Sequence, residues 1–436
     1  MRCTRKWGGK MTCVNGIRTV TLAVLLCAVP GLGGAQAQDA AALQTVVDGR
    51  LFETRGELIE VRRDIHRHPE VSGREERTAG VIAARLRALD LEVRTDVGGH
   101  GIVALLRGAL PGPTVAFRAD MDAVASGDPD PVEFASTVAG VRHICGHDIH
   151  TTVGLALAEG MAAIRNELAG SVMFIFQPAE ENATGARAML EDGAFDEFGA
   201  PDAIFAYHTA PLEVGQVGTK AGVLLAGRDR ITVTLSGRSD LSESADDAVR
   251  LIRETSTIDP STPSATGDFA VTNVFGSQAR GADGTWVIRG QSTTSSLDAS
   301  ARVERSIRDG LSDLESDGVN CSLEYEQRWI AGAANDPALE AASLAPLRSI
   351  LGEDGVVVIE NVPTQFSEDF GSFQEQVPGV MYYLGVSNSE KGWVGLPHSP
   401  DYVADEAAIE VGARAMAAVM LDLLYSSSGM RQPGKS

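Results

Sequence analysis

Residues 143–157, HICGHDIHTTVGLAL, bring three histidines, a cysteine and an aspartate together just ahead of an apolar helical pattern. The 436-residue chain has only eight histidines and five cysteines, so this cluster stands out from the composition. Cys145 and His147 flank Gly146, and two side chains at this spacing can face one centre only from a turn. The stretch is interpreted either as part of a metal site or as an ordinary turn that starts a helix.

The segments around this stretch alternate between strand-like and helical patterns. Short apolar runs predict strands, and longer runs with a 3.6-residue period predict helices. The predicted strands are 101–106, 114–117, 171–176 and 203–206, and the predicted helices are 43–66, 78–89 and 150–164. Alternation of this kind is typical of an α/β fold, in which helices cover both faces of a central sheet.

From residue 231 the predicted order changes to β-α-β-β-α-β and ends near residue 325. That order is the ferredoxin-like arrangement, which forms a complete small domain. A helix, a strand at 379–385 and a final amphipathic helix then return to the first pattern. We therefore predict a domain inserted at 228–332 into a larger domain made of 38–227 and 333–436.

Ligand-type side chains follow three predicted strands of the larger domain at the point where each strand ends. They are Asp120 and Asp122, Glu180 and Glu181, and His208. In parallel α/β sheets ligands bind beyond the carboxyl ends of the strands, so these side chains can converge on the turn at Cys145. Thiolate, imidazole and carboxylate together suit zinc, manganese or cobalt. One of the adjacent glutamates can bind metal while the other accepts a proton from water.

These residues also have ordinary structural interpretations. Most single histidines are satisfied core or surface residues. We interpret four in that way: His66, His68, His100 and His143. Asp122 fits a turn cap, and Cys145 could form a disulfide with Cys321. The metal interpretation is favoured because several separate strand and turn ends carry ligand-type residues at one edge of the predicted sheet.

Several stretches of the larger domain resemble one family. They are RRDIHRHPEVSGREERTA (62–79), VAFRADMDAV (115–124), HICGHDIHTTVGLAL, MFIFQPAEENATGARAMLEDG (173–193), AIFAYHTAPLEVGQVG (203–218) and SEDFGSFQEQVPGVMYYLGV (367–386) with PHSPDY (397–402). The chain is similar to the di-metal amidohydrolases and carboxypeptidases that include bacterial aminoacylases, hippurate hydrolases and plant indole-acetyl-amino acid hydrolases. The resemblance implies a zinc-exopeptidase-like catalytic domain with an inserted lid and dimerisation domain.

Carried over position by position, the resemblance also implies the site residues. It implies two divalent metal ions, zinc, manganese or cobalt, held by Cys145, His147, Glu181, His208 and His398. Glu180 is implied as the general base and Asp122 as the group that orients a metal-bound imidazole. Asp148 and His150 are expected to hold the turn and the start of the following helix.

The implied function is metal-dependent hydrolysis of an amide bond in an N-acyl amino acid or a related amino-acid conjugate. In the implied mechanism the metal ions activate water, and Glu180 takes its proton and passes it to the leaving amine. Two alternatives stay open. One is a metal-dependent dipeptidase, and the other is a metal-holding protein that binds a ligand with little catalytic activity.

The inserted domain departs from the implied pattern at two places. The family has a histidine after the first strand of this domain that helps hold the oxyanion, but here the sequence LSGRSDLSES places Asp240 or Leu241 there. The family has an arginine for the substrate carboxylate in the strand before the second helix, and here Thr293 stands near that position. Arg238, Arg289 or another residue of the lid is expected to substitute.

The N-terminus has the pattern of an export signal. Basic residues precede an apolar run at 20–29, and Ala35-Gln36-Ala37 follows, which predicts cleavage after Ala37 and a periplasmic or secreted protein. Loss of residues 1–37 removes five basic residues and changes the net charge from −22 to −27. So acidic a surface repels nucleic acid and anionic lipid. The predicted partners are therefore small-molecule substrates, with no membrane contact after cleavage, and a second copy of the chain in a homodimer.

Overall fold

The computed structural model describes residues 32–280, 284–316 and 318–426. Residues 1–31, most of the predicted export signal, lie outside the described residues, and the predicted cleavage after Ala37 falls within the first helix. The helices are α1 (Leu32–Arg67), α2 (Glu76–Ala88), α3 (His147–Ala163), α4 (Gly185–Glu191), α5 (Ser242–Glu254), α6 (Leu297–Ser316), α7 (Pro337–Leu351), α8 (Gly371–Gln374) and α9 (Ala407–Tyr425). Within the described part of the chain, no helix is both long and apolar enough to cross a membrane.

The strands form one large sheet, one four-stranded sheet and three short pairs. In chain order they are β1 (Glu92–Val97), β2 (Gly101–Arg107), β3 (Leu110–Asp120), β4 (Val124–Ala125), β5 (Val141–Arg142), β6 (Ala169–Gln177), β7 (Ala203–Glu213), β8 (Val217–Thr219), β9 (Gly222–Leu225), β10 (Gly227–Ser236), β11 (Ser264–Ala265), β12 (Ala270–Arg280), β13 (Thr285–Thr294), β14 (Asn320–Ile330), β15 (Ala333–Asn335), β16 (Val356–Val358), β17 (Val362–Pro363) and β18 (Gly379–Ser387).

The large sheet has the strand order β1-β2-β6-β3-β7-β18-β8-β16. Its central strands β6, β3, β7 and β18 run parallel to one another, whereas β6 is antiparallel to β2 and β18 is antiparallel to β8. They are buried on both faces, which is why they read in the sequence as continuous apolar runs. The predicted α/β class is confirmed. The sheet is mixed, however, because β1 and β2 form an antiparallel edge, and the exposed polar residues of β1 give no strand-like pattern.

Helices cover both faces of the large sheet, as predicted. On one face α1, α3 and α9 share a core that includes Leu51, Val153 and Met416. On the other face α4 and α8 contribute Met189 and Phe373 to a second core. Full burial of one such side chain stabilises the fold by about 1.5–3 kcal/mol. These two cores hold the strand ends in fixed positions, and the site is built on those ends.

The four-stranded sheet has the order β12-β13-β10-β14, and its helices α5 and α6 pack on one face over a separate core. The element order β10-α5-β12-β13-α6-β14 is the ferredoxin-like order. We call this unit the lid. The chain re-enters the large domain at β15, which pairs with β9. The homodimer predicted through the lid stays a prediction.

Candidate active site

The turn between β5 and α3 positions Cys145 and His147. Gly146 between them has a φ of 88°, in the left-handed region that glycine adopts without strain. A Cβ atom at this position would lie 2.3 Å from the Tyr402 hydroxyl oxygen and 2.7 Å from side-chain atoms of Thr209. The glycine therefore allows both the sharp turn and the close approach of two neighbouring segments.

Four further side chains of the predicted site lie around this turn. The Cys145 sulfur is 3.5 Å from His208 Nε2, and His147 Nε2 is 3.6 Å from Glu180 Oε2 and 3.7 Å from Glu181 Oε1. His398 Nε2 is 3.5 Å from Glu181 Oε2. The ligand-type atoms fall into overlapping groups whose atoms lie within 4.8 Å of one another: Cys145 with His147 and His208, Cys145 with Glu181 and His398, and His147 with Glu180 and Glu181. The structure thus brings together all the residues predicted for the site, including His398 from a distant loop.

The free atoms of these side chains fit a bound cation. His147 uses Nδ1 to contact Asp122 at 3.1 Å, and His208 Nδ1 donates to the Thr209 carbonyl oxygen at 2.8 Å. The Nε2 atoms of both rings are therefore left facing the centre of the cluster. His147 Nε2 and Glu181 Oε1 are buried and have no hydrogen-bond partner within the described part of the chain. Buried polar atoms of this kind are normally satisfied, so the donor set matches a metal site.

Electrostatics at the cluster point the same way. Burial, with the negative charge of Glu368 and Glu181, raises the pKa of Glu180 well above its usual value. Burial also raises the pKa of Glu181 to about 7 and that of the Cys145 thiol well above its usual value, with Glu181 adding to the effect on Cys145. Crowded buried acids disfavour one another's charged forms, and a cation among them reverses that preference.

Hydrogen bonds to the buried Glu75 carboxylate hold the turn that positions Glu180 and Glu181. Glu75 Oε1 accepts hydrogen bonds from the backbone N–H groups of Gly73 and Ala179, both at 2.8 Å, and Ala179 has a positive φ of 52°. The backbone N–H of Glu181 donates to Asp122 Oδ2 at 3.0 Å. This sharp turn after β6 lets the adjacent glutamates point in different directions, which a regular strand forbids.

Asp148 and His150 lie beneath the turn. Asp148 forms a buried ion pair with Arg62 at 2.7 Å and contacts His66 Nδ1 at 2.7 Å. His150 contacts Asp120 at 2.6 Å through Nδ1, and its Nε2 accepts from the backbone N–H of Thr209 at 2.8 Å. These contacts connect α3 to α1, β3 and β7. The side chains beneath the site therefore fix the positions of the helix and strands that carry it.

The four histidines interpreted as ordinary residues do not join the cluster. His100 is partly buried in the turn between β1 and β2. His66 is a satisfied core residue, bonded to Asp148 and, at 3.0 Å, to Asp130. His68 contacts the Asp64 carbonyl oxygen at 2.8 Å. His143 is buried, its nitrogens have no hydrogen-bond partner within the described residues, and burial lowers its pKa to about 4. The ring of His143 lies beside that of His66, with ring centroids 6.1 Å apart, but the interpretation of His143 as a satisfied residue is wrong in this structure.

Cys145 and Cys321 are both free. Cys145 is buried at the cluster, whereas Cys321 lies on β14 opposite Leu235. The disulfide alternative is therefore wrong in this structure. Because Cys145 is free and its sulfur contacts His208, the interpretation of this thiol as a metal ligand is the one that stays.

A buried group of charged residues, made of one arginine and three acids, lies behind Glu180 and could not be predicted from the sequence. Arg118 is fully buried, and its guanidinium contacts Asp120 at 2.6 Å, Glu368 at 2.8 Å and Asp369 at 3.2 Å. Glu180 lies against the same acids, because ligand-type oxygens of Glu180, Glu368 and Asp369 fall within 4.8 Å of one another. The stretches around Arg118 and Glu368 both resemble the family, but their spacing does not reveal that residues 250 positions apart form an ion pair.

Arg118→Met is expected to lower the free energy of unfolding by about 3–5 kcal/mol, because it leaves buried carboxylates without a counter-charge. Urea unfolding followed by circular dichroism measures the change. Arg55→Met is the matched control, since Arg55 is 55% exposed and pairs loosely with Glu410 at 3.8 Å. The control is expected to change stability by less than about 1 kcal/mol. Equal stability of the two variants would contradict the structural role of Arg118.

The cluster forms the floor of a cavity of about 690 Å³ between the large domain and the lid. This volume is in the range of small-molecule sites. Apolar side chains form much of its wall: Leu212, Leu225, Ile330, Ile359, Phe366 and Leu396. The cavity can therefore hold a small molecule with an apolar part, placed against the ligand-type side chains.

The two unusual lid positions do not supply the missing groups. Leu241 is 3% exposed and packs into the lid core, and Asp240 accepts hydrogen bonds from Ser242 at the start of α5. Arg238 and Arg289, expected as substitutes, are exposed and do not line the cavity, so that expectation is wrong for both. Thr293 is buried on β13 and lies opposite Arg228 on β10.

Comparison with known proteins gives consistent matches. Residues 116–422 match Peptidase family M20/M25/M40. The chain is 32% identical over 397 residues to the N-acetylcysteine deacetylase of Bacillus subtilis, with 86% of this chain and 98% of that protein covered. It is 32% identical to the IAA-amino acid hydrolase ILR1-like 6 of Arabidopsis thaliana, with 83% and 79% covered.

A solved structure supports the same assignment. A dinuclear metal-binding peptidase of the M20 family from Bacillus subtilis superposes with a TM-score of 0.73 at 28% sequence identity, covering 85% of this chain and 99% of that one. The match extends over the large domain and the lid together, and the resemblance inferred from the sequence is confirmed. The chain belongs to Peptidase family M20/M25/M40 and is a metal-dependent amidohydrolase or peptidase of that family.

Proposed function

We propose that the protein hydrolyses the amide bond of N-acyl amino acids or related amino-acid conjugates with two divalent metal ions. The observation that carries the proposal is the convergence of Cys145, His147, Glu181, His208 and His398 beside Glu180 at the floor of one cavity. Relatives at about 30% identity support the substrate class by name, since they include deacetylases of N-acetylcysteine and N-acetyldiaminopimelate and a hydrolase of IAA-amino acids.

The predicted ligands form two overlapping groups that share Cys145, which suits a pair of ions held close together. Bound zinc, manganese or cobalt would supply Lewis acidity, which polarises an amide carbonyl and makes water nucleophilic at neutral pH. Asp122 holds the His147 ring through Nδ1, so that Nε2 keeps its lone pair for the centre.

Glu180 is the group placed to move protons. Its carboxylate lines the cavity 3.6 Å from His147 Nε2, while the acids around Arg118 crowd it from behind. A carboxylate in this position can take a proton from the attacking water and return it to the leaving amine. The same residue can serve both steps because its carboxylate lines the cavity in which a substrate would bind.

The test is to purify the chain, load it with manganese, cobalt or zinc, and assay N-acetyl, N-benzoyl and indole-acetyl amino acids beside dipeptides. We expect free amino acid to be released faster from N-acyl amino acids than from dipeptides. Faster release from dipeptides would favour a dipeptidase. Two bound ions with no turnover of any compound would favour a metal-holding, ligand-binding protein and overturn the proposal.

We also propose that the protein is exported. Support comes from the basic residues, apolar run and Ala35-Gln36-Ala37 pattern at the N-terminus. The chain recovered from a periplasmic extract or culture medium is expected to have the mass of residues 38–436. An intact residue 1–37 segment on protein found only in the cytoplasm would contradict export.

A further inference from the structure

Arg228 lies at the start of β10, and its side chain lines the same cavity as Cys145, Glu180 and His398. Among the described residues that line the cavity, it is the only arginine or lysine. The rest of the wall above the ligand-type cluster is mostly apolar or uncharged. The cavity thus contains one positively charged side chain outside the candidate metal site.

The charge of Arg228 is not balanced by the protein. Its Nη2 donates to the backbone carbonyl oxygen of Gln365, its Nε is buried without a hydrogen-bond partner, and it forms no ion pair within the described part of the chain. Burial lowers the pKa of Arg228. By contrast, the fully buried Arg62 and Arg118 are each paired with carboxylates. A half-buried cation without an anion is costly, and an anionic ligand that enters the cavity removes that cost.

The position of Arg228 in the lid sheet supports a ligand-binding role. Its Cα pairs with that of Thr293 across the antiparallel strands β10 and β13. Residues directly opposite each other have Cβ atoms about 4.5–5.5 Å apart and side chains on the same face. Thr293 stands near the position where the family resemblance implies an arginine for the substrate carboxylate. The long side chain of Arg228 can therefore place a guanidinium close to where an arginine at position 293 would place its own.

We propose that Arg228 binds the free carboxylate of the amino-acid part of the substrate and so makes the enzyme select N-acyl amino acids that carry one. This inference rests on the proposed function. It also accounts for how a strongly acidic protein admits an anion, because a local cation offsets the repulsion of the negative surface. The apolar wall at Leu212, Ile359 and Phe366 is left for the uncharged part of the substrate.

The test compares the best N-acyl amino acid substrate with its carboxamide, which lacks the carboxylate charge. Arg228→Gln is expected to lower kcat/KM for the carboxylate roughly 10- to 100-fold, mainly through KM. It is expected to lower kcat/KM for the carboxamide less than about threefold, since that compound makes no ion pair. Arg228→Lys keeps the positive charge, so its kcat/KM for the carboxylate should lie between those of the wild-type protein and Arg228→Gln.

Arg230→Gln is the matched control. Arg230 lies two residues further along β10, but it is half-exposed, pairs with Glu326 at 2.8 Å and does not line the cavity. This variant should leave both substrates unchanged. Arg228→Ser combined with Thr293→Arg moves the guanidinium to the opposite strand and should restore part of the preference for the carboxylate.

Two results would overturn the inference. Equal losses on the carboxylate and the carboxamide in Arg228→Gln would show that Arg228 only anchors the lid to Gln365. If no compound is turned over, the proposed function fails, and binding of the same two compounds to the metal-loaded protein decides about Arg228. Weaker binding of the carboxylate alone in Arg228→Gln would support its role as an anion-binding residue, and unchanged binding would exclude it.

Discussion

Glu180→Gln is expected to lower kcat roughly 100- to 10,000-fold, the usual contribution of a positioned general acid–base group. Glutamine has nearly the same shape but cannot accept a proton at neutral pH. Glu180 is 7% exposed and lines the cavity at the floor, so solvent cannot readily replace it as a proton acceptor. Steady-state assays on the substrate found in the panel measure the loss.

Metal content decides what such a loss means. Glu180→Gln should retain the metal bound by the wild-type protein, as measured by atomic emission on the purified variant, because Glu180 is predicted to act as a base rather than as a ligand. Glu326→Gln, at a half-exposed glutamate of the lid, is the matched control and should keep full activity. Wild-type kcat in Glu180→Gln would show that another group moves the proton.

Removal of metal is expected to abolish turnover altogether. Dialysis against a chelator should reduce activity to background, and manganese, cobalt or zinc should restore it, since the hydrolysis depends on Lewis acidity that no side chain of this site supplies. Metal bound only by the folded chain also stabilises it, by about 2.7 kcal/mol at a free concentration 100 times the Kd. A rise in Tm on addition of metal therefore gives a second measurement, independent of substrate.

The two free cysteines provide the control for the metal experiment. Cys145→Ser should weaken metal binding and the rise in Tm, because the thiolate is a predicted ligand. Cys321→Ser should leave both unchanged, because Cys321 lies on β14 in the lid. Full activity of the chelated protein, or equal metal affinity of the two variants, would contradict the assignment of the cluster as a metal site.

The sequence predicts the parts of the site that follow from local pattern. Buried parallel strands are continuous apolar runs, and the polar residues that follow these runs lie at the same edge of the sheet, which is why Glu180, Glu181 and His208 could be placed together. His208 itself lies within β7, which continues to Glu213 beyond the predicted end of that strand. Cys145 and His147 were found because a glycine between two ligand-type residues indicates a turn. These patterns depend only on neighbouring residues, so they can be recognised without knowledge of the fold.

Other parts depend on contacts between distant segments. His398 lies in a loop with a positive φ of 63°, held by a hydrogen bond of 2.8 Å from its N–H to the Ile144 carbonyl oxygen, and nothing in its own neighbourhood indicates this contact. Only the resemblance to a family selected it. Arg228 was missed for a related reason. Its importance depends on cross-strand register and on which face of the lid meets the cavity, and neither can be derived from the spacing of arginines in the sequence.

The place of β18 in the large sheet constrains the order in which the protein can fold during synthesis. β18 lies between β7 and β8 at the centre of the sheet, yet the ribosome makes it after the whole lid. Until then the sheet is split, and Arg118 lacks Glu368 and Asp369. The lid strands are contiguous in the chain and can pair early, whereas the catalytic domain closes last.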